Sequence, residues 1–594
     1  MPEWYAAARG TLSGYARTAV AVWRAGPLAA LTMLTLTVAS GFLPAGNFLA
    51  SVRLVNAIAA AVGRRGWWTA VWPWLAVTAA LQVAAVALEQ VKNPFQAQVT
   101  ENLETWIHEG ITSRAQAAEL PELQTASFQN RLARARAVSG ADMVQIISDL
   151  AYATQFTCGA LALGAVLLPV NPLLPLLPTL GGVLTWVGGS RFGAELYRYD
   201  RSRTLQARIR DGLAGLLTDR GAAKEVRLYA AAPSWLALWQ RLSGEIVRER
   251  QTVQSRGFRA HLTIDGGRGL LYAGALALLL ASVLQGGLTI GEYVAGAAAL
   301  VQLEELWFST ATQLQYVEIA MLGLRGDLYA FLDSDAPAPA APSAGRGPGV
   351  IELQDVSFAY PGEDTAAIAG ITLRIPPGQR IGLVGANGVG KSTLARVLLG
   401  LYPPTAGEMH VGGRRLDAAG RADWRRRCGA VFQDFLQYQF TAGDNIRFGD
   451  LERPERVEWA AAAAEASGLI AALPEGYRTL LGPTFGGRDL SGGQWQRLAT
   501  ARGFMPTADG LVVLDEPTAA LDPLAEMALY EKFARLTAGR TSVVISHRLA
   551  SARQCDRILV LQEGRIVEDG THEGLLRRGG VYADMYGKQA QWYL

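Results

Sequence analysis

The run Gly385-Ala-Asn-Gly-Val-Gly-Lys391-Ser392 constrains this chain more than any other stretch of it. Its spacing, G-x-x-x-x-G-K-S, makes a loop whose backbone N–H groups wrap phosphate oxygens at a helix N-terminus. Glycines are needed because a Cβ would hold the backbone away from the phosphate. Gly385, Asn387, Gly388, Gly390, Lys391, Ser392 and Thr393 are the candidate phosphate-binding residues.

Three further motifs follow in order: Leu490-Ser-Gly-Gly-Gln494, Leu511-Val-Val-Leu-Asp-Glu516 and Ile545-Ser-His547. The apolar run Leu511–Leu514 predicts a buried parallel strand with Asp515 at its carboxyl end, the edge where open α/β sheets bind ligands. Asp515 can hold a nucleotide-bound Mg²⁺ together with the Ser392 hydroxyl, and Lys391 can neutralise β- and γ-phosphates. Glu516, beside the metal-binding carboxylate, is placed to polarise an attacking water; its alternative is a solvated helix cap before Pro517.

Together these motifs resemble the ATPase domain of ATP-binding cassette (ABC) transporters over roughly residues 350–594. The resemblance implies that Leu490–Gln494 is the family's signature sequence, which caps the γ-phosphate bound to a second cassette. Ser491, Gly493 and Gln494 would then act across a dimer, at the start of a helix whose dipole favours anions. It further implies that Tyr360 stacks on adenine and that Gln433 joins the Mg²⁺ shell and relays closure to the membrane domain. His547 corresponds to the switch histidine that contacts the γ-phosphate, and Asp522 to a residue that meets the partner cassette. One departure stands out: Phe485 lies near the place of an expected acid in Pro483–Asp489. Because Glu516 and the signature are both intact, two copies would form two competent sites, and a homodimer is the simpler expectation than a heterodimer.

Composition places the rest of the chain. Of 594 residues, 50% are hydrophobic and 18% charged, too apolar for a purely soluble protein with such Arg-rich stretches. The net charge of +3 is small and implies no nucleic-acid partner. Cys158, Cys428 and Cys555 are widely spaced and predict neither a disulfide framework nor a metal site. A cleavable signal pattern is not expected; a short interfacial helix around Trp4–Trp23 is.

The apolar content lies before residue 335, in spans near 27–61, 67–91, 141–169, 172–195, 262–285 and 289–325. Trp67, Trp68, Trp72 and Trp74 read as an interface belt. Long Arg-rich segments between spans two and three, and four and five, place those sides in the cytoplasm. With six crossings, both termini and the ATPase also lie there, in the bacterial inner membrane. The layout resembles ABC exporters and implies helices that extend far into the cytoplasm, with transverse tips near Phe128–Arg136 and Ser234–Leu242 resting on the cassettes. The expected fold is an all-α six-helix transmembrane domain over 1–334, a Pro/Ala/Gly linker over 335–349, and an α/β P-loop NTPase cassette over 350–594.

The function expected from this resemblance is ATP-driven export of a peptide or an amphipathic compound, with ATP and Mg²⁺ as cofactors. The partners are a second copy, membrane lipid and a transported substrate. The whole-chain pattern is similar to bacterial peptide exporters of the lantibiotic type that lack a processing protease, and the closing stretch Tyr582–Tyr593 contributes to that likeness. Lipid flippases and drug exporters share the same parts; an importer or a non-transport ABC ATPase is the other class. Glu304 and Glu305, ionisable groups within the last span, either line the translocation pathway or bond across helices near the headgroups.

Overall fold

The computed structural model describes residues 3–61, 68–219, 221–285, 290–334, 349–506, 509–515, 533, 535–546 and 549–591. The chain divides into two compact units: Met1–Gln116 with Ala126–Asp335, and Ala117–Thr125 with Ala336–Leu594.

The first unit is helical. It opens with α1 (Glu3–Ala25), α2 (Pro27–Ala61) and α3 (Trp68–Ala117), and α4 (Leu120–Leu123) follows within the segment assigned to the second unit. Then come α5 (Ala126–Arg136), α6 (Gly140–Leu167), α7 (Leu173–Ser202), α8 (Thr204–Thr218) and α9 (Ala223–Leu228). It closes with α10 (Ala232–Leu284) and α11 (Ile290–Gly323). The six expected spans fall on α2, α3, α6, α7, α10 and α11. Among the described residues α3, α6, α7 and α10 are each long and apolar enough to cross a membrane, and Gly14–Ala25 with Pro27–Ser40 adds a pair bent by 115°. At 1.5 Å per residue, the 50 residues of α3 and the 53 of α10 reach about 75–80 Å, far beyond a hydrocarbon core of about 30 Å. Their polar halves therefore continue past it.

Paired glycines let α7 lie between two neighbours. Gly181 and Gly188 turn towards α10, where an added Cβ would stand 3.1 Å from Arg268 and 2.0 Å from Ile264. Gly182 and Gly189, one residue on, turn towards α11, 3.0 Å from Trp307 and 2.0 Å from Gln315. Such small residues allow helix backbones to approach closely. Gln315 Nε2 uses the proximity to donate to the Thr185 carbonyl at 2.7 Å. Leu163, Leu174, Leu279, Leu300 and Leu303 fill the core where α6, α7, α10 and α11 meet.

At the foot of α11 the helix widens into a π-turn, Leu324–Tyr329. Its Asp327 accepts from Arg134 Nε of α5 and from the Tyr197 hydroxyl of α7, both at 3.0 Å. A half-buried carboxylate thus ties three helices together, which fits the tendency of π-turns to sit at functional junctions.

The expected transverse tips need correction. α5 buries Phe128, Leu132 and Ala135 within the first unit, with the Phe128 and Phe331 rings edge to face at 5.6 Å. The segment Ser234–Leu242 is an uninterrupted part of α10. It is the nine-residue segment Ala117–Thr125, just upstream of the expected stretch, that groups with the cassette. There Arg421 donates to Glu119 at 2.5 Å, Tyr402 donates to Gln124 at 3.2 Å, and Leu120 packs on the cassette core.

The second unit is α/β. Its strands are β1 (Ile351–Ala359), β2 (Ala366–Ile375), β3 (Arg380–Val384), β4 (Ala406–Val411) and β5 (Arg414–Arg415). β6 (Gly429–Val431), β7 (Val512–Asp515), β8 (Ser542–Ile545), β9 (Arg557–Gln562) and β10 (Arg565–Gly570) complete it. An antiparallel sheet has the order β2-β1-β4-β5, and a larger one the order β10-β9-β3-β8-β7-β6. In the larger sheet β9, β3, β8, β7 and β6 run parallel. All four residues of β7 and of β8 are buried, as the continuous apolar runs require. Register sets the site: Ile545 is paired with both Leu383 and Asp515. The phosphate loop, Asp515 and Ser546 therefore leave the sheet at one level.

Candidate functional site

The loop between β3 and the helix Lys391–Leu398 is held by contacts that only glycine permits. Gly390 caps that helix at φ +99°, and a Cβ there would meet the Ala367 carbonyl oxygen at 2.5 Å. Gly385 leaves only 2.4 Å to the Leu561 carbonyl oxygen. Gly388 differs: it has φ +78° and open space beside it, and it lines the adjoining cavity. Lys391 is buried, its ammonium donating to the carbonyls of Gly385 (3.0 Å) and Ala386 (2.8 Å), so the cation is fixed inside the loop.

That cavity measures about 910 Å³ and is open on one side. Tyr360, Asn387, Gly388, Gly390, Lys391, Ser392, Thr393 and Gln433, all expected from the sequence, line it. Tyr360 shares a hydrogen bond of 3.0 Å with the Thr393 hydroxyl and stands edge-on to Phe358 at 5.2 Å. Its ring is thereby fixed at the mouth. The Ser392 hydroxyl donates to Asp515 Oδ1 at 3.4 Å across the sheet edge. Two hard oxygen donors side by side, with the Gln433 amide on the same cavity, fit a Mg²⁺ ion that also takes phosphate oxygens.

Glu563 and Gly564, which the sequence reading did not single out, also line the cavity. They form the tight turn between β9 and β10. Gly564 donates to the Val389 carbonyl at 3.2 Å and accepts from Ala369 N–H at 2.9 Å, bracing the loop against β2. The Glu-Gly pair between two apolar runs was the available signal.

The signature stretch stands apart from this cavity; none of its residues is among the lining. Ser491 caps the helix Gly492–Phe504: its hydroxyl accepts from Gln494 N–H at 3.4 Å, and its own N–H donates to Gln494 Oε1 at 2.9 Å. An accepting hydroxyl keeps its proton to donate outward. Ser491 is exposed, and no atom approaches where a Gly493 Cβ would stand. Glu516, Asp522 and His547 lie outside the described residues.

Two cassette thiols are chemically quiet. Burial pushes Cys428 and Cys555 up to about 12, which keeps both protonated. In the helical unit Glu304 pairs with Arg268 of α10 at 3.1 Å, and Arg268 also lies over the Phe308 ring at 4.3 Å; Glu305 is exposed.

Residues 368–519 match the ABC transporter family. The chain is 34% identical over 371 residues to an ATP-dependent lipid A-core flippase of Xanthomonas axonopodis pv. citri, covering 62% of each chain. It is 36% identical over 353 residues to one of Chromobacterium violaceum, covering 58% of this chain and 59% of that one. It is also 38% identical over 329 residues to the human ATP-binding cassette sub-family B member 6, covering 54% of this chain and 38% of that one. The matches thus span about three-fifths of the bacterial relatives' length. A solved bacterial Atm1-family ABC exporter with ATP bound superposes with a TM-score of 0.78 over 96% of this chain and 98% of that one, at 24% identity. Residues 368–519 therefore match the ABC transporter family, and the chain as a whole takes the fold of a solved ABC exporter, with one helical unit and one α/β unit.

Proposed function

We propose that two copies of this chain form an ATP-driven exporter of the bacterial inner membrane, moving a peptide or amphipathic compound outward by alternating access. The observation that supports this most is the separation of two half-sites on one cassette. The phosphate loop, Ser392 and Asp515 meet at one sheet edge, whereas the signature donors face solvent elsewhere. A second copy, with its Ser491 and Gly493 over the first copy's γ-phosphate, completes both sites.

In this reading Tyr360 holds adenine, Asn387, Gly388, Gly390 and Thr393 wrap the phosphates, and Lys391 neutralises them. Mg²⁺, held by Ser392, Asp515 and Gln433, would draw charge from the β- and γ-phosphates. Glu516 orients the attacking water, His547 keeps it in line, and Asp522 meets the partner cassette. Residues 1–334 form the transmembrane domain, 335–349 the linker and 350–594 the cassette, which lies in the cytoplasm with both termini. Nucleotide shifts the helical units between inward- and outward-open only by its unequal affinity for the two states.

A second reading, lipid flipping, is favoured by the bacterial relatives, which are lipid A-core flippases. One pair of experiments tests both. Glu516→Gln should retain ATP but lose at least about 100-fold in hydrolysis, the usual contribution of a general base. Inverted vesicles should accumulate substrate when ATP is added; depletion indicates import, and a fluorescent lipid moving between leaflets indicates flipping. Normal turnover by the Gln variant removes Glu516 from its role.

A further inference from the structure

The helical unit contains a second cavity, of about 430 Å³, lined by residues of four helices, two of which present a face at helical spacing. α2 supplies Ser40, Leu43 and Asn47; α3 supplies Leu81, Gln82, Ala85, Val86 and Glu89; Gln155 of α6 and Gln302 of α11 close it. Its volume lies in the range of about 300–1,000 Å³ usual for small-molecule sites. Four primary amides, a hydroxyl and a carboxylate converge there between apolar walls.

The depth makes this composition costly. From Trp68 to Leu88 α3 carries no ionisable group, so Gln82 sits within an uncharged stretch that Glu89 ends. Counted from the start of α3, Gln82 lies about 21 Å and Glu89 about 32 Å along the helix axis. Polar side chains held at such positions mark functional surfaces more often than structural ones.

The charges present narrow the ligand. Among the described residues the lining includes no lysine or arginine, which disfavours an anionic headgroup. Glu89 is not an open cation site either. Lys92, itself buried, lies 2.8 Å from Glu89 Oε1, and the Tyr152 hydroxyl donates to the same oxygen at 2.9 Å. Lys92 also bonds to Tyr152, which closes a neutral triad. Both contacts use Oε1 and leave Oε2 as an acceptor. The single Ser40 proton is shared between the Thr37 carbonyl at 2.7 Å and Gln155 Oε1 at 3.5 Å, so the amides remain available to a ligand. What remains is a surface of alternating donors and acceptors with no net charge. A primary amide presents N–H and C=O side by side, the complement of a peptide group.

We infer that this cavity binds the uncharged amide backbone of a peptide-like amphipath, whose apolar side chains pack on Leu43, Leu81, Ala85 and Val86. This deepens the exporter reading and rests on it. Gln82, Gln155 and Gln302 exchange hydrogen bonds with peptide groups, and Glu89 Oε2 takes one N–H. A ligand lacking those groups leaves the amides unpaired, which is the strongest basis for discrimination in such a site.

The test uses the full chain in phosphatidylcholine nanodiscs and equilibrium binding of tritiated acetyl-Leu-Ala-Leu amide. Binding should saturate, weaken at least tenfold in Gln82→Leu/Gln155→Leu, and weaken comparably when the probe's internal amides are replaced by esters. The ester probe leaves the protein untouched, so it decides even if the double variant misfolds. Equal binding of amide and ester, or stronger competition by octyl glucoside or a short-chain phosphatidylglycerol, overturns the assignment. ATP binding measured on the same nanodiscs separates the two levels. Protein that holds ATP but no tripeptide loses only this cavity's role, whereas protein that holds no ATP loses the exporter reading.

Discussion

The two cavities hold polar groups in opposite ways. In the cassette, the site is mostly backbone: consecutive residues from Asn387 to Thr393 wrap one side of it, and glycines bring main-chain atoms within reach of a ligand. In the helical unit, side chains from four helices do the work, with Ser40 and Gln302 far apart in the chain. A backbone-built site tolerates almost no change in residue type, because the main chain has nowhere to go. One built from side chains can give, since rotamers and neighbouring helices adjust. The contrast predicts unequal effects from the same small substitution.

The largest effect belongs to Gly390→Ala. The added methyl would stand 2.5 Å from the Ala367 carbonyl oxygen and 2.9 Å from Ile368, at φ +99°. Left-handed backbone costs an L-residue about 1–2 kcal/mol, before any clash with a strand that cannot move. Nucleotide affinity should fall at least about 100-fold, or roughly 2.7 kcal/mol. Titration with a fluorescent ATP analogue measures it; a loss below threefold would mean the loop re-forms and the contrast fails.

Gly189→Ala in α7 should cost less, although its methyl would come nominally closer, 2.0 Å from Gln315. The obstructing atoms are the far end of a flexible side chain. Gln315 can swing away at the expense of its bond to the Thr185 carbonyl, a loss of about 1 kcal/mol. The apparent Tm in detergent should drop by a few degrees while ATP binding holds. Failure of Gly189→Ala to fold at all would show that the glycine pairs are as unyielding as the phosphate loop.

The same contrast explains what was legible in the sequence. The phosphate loop, the strand ending at Asp515 and the short strand before Ser546 could be placed by residue because each is a contiguous string whose spacing is fixed by backbone geometry. The long helices were visible as apolar runs. Their lateral contacts were not: nothing in the sequence around the glycine pairs 181–182 and 188–189 marks α10 and α11 as the neighbours they admit. Glu304 was identified as ionisable at depth, but its Arg268 partner lies on another helix, so a pathway group and a helix-to-helix ion pair looked alike. Gln82 and Gln155 carried no motif at all. The segment Ala117–Thr125 was passed over because its grip on the cassette comes from single long-range bonds, Glu119 to Arg421 and Gln124 to Tyr402, rather than from a patterned face.

The smallest effect tests a side-chain contact inside the backbone-dominated cassette. Arg380, at the start of β3, donates to both carboxylate oxygens of Asp556, at 3.3 Å from Nε and 2.7 Å from Nη2, and its backbone N–H adds a bond of 2.9 Å. The side-chain hydrogen bonds from Arg380, foremost, hold the Asp556 carboxyl below its ordinary value. A depressed folded-state pKa means the contribution is complete above the unfolded value, near pH 3.9, and is lost as pH falls through the lower folded one. Both side chains are about a third exposed, 30% and 43%, so solvent screens the pair, and it should contribute no more than about 0–1 kcal/mol. Unfolding curves of the full chain between pH 5 and pH 2.5 should therefore slope slightly more steeply than those of Asp556→Asn, with the difference shrinking in high salt. Parallel curves would mean that the three backbone-braced strands around this pair, not its charge, set the acid stability of the nucleotide-binding half.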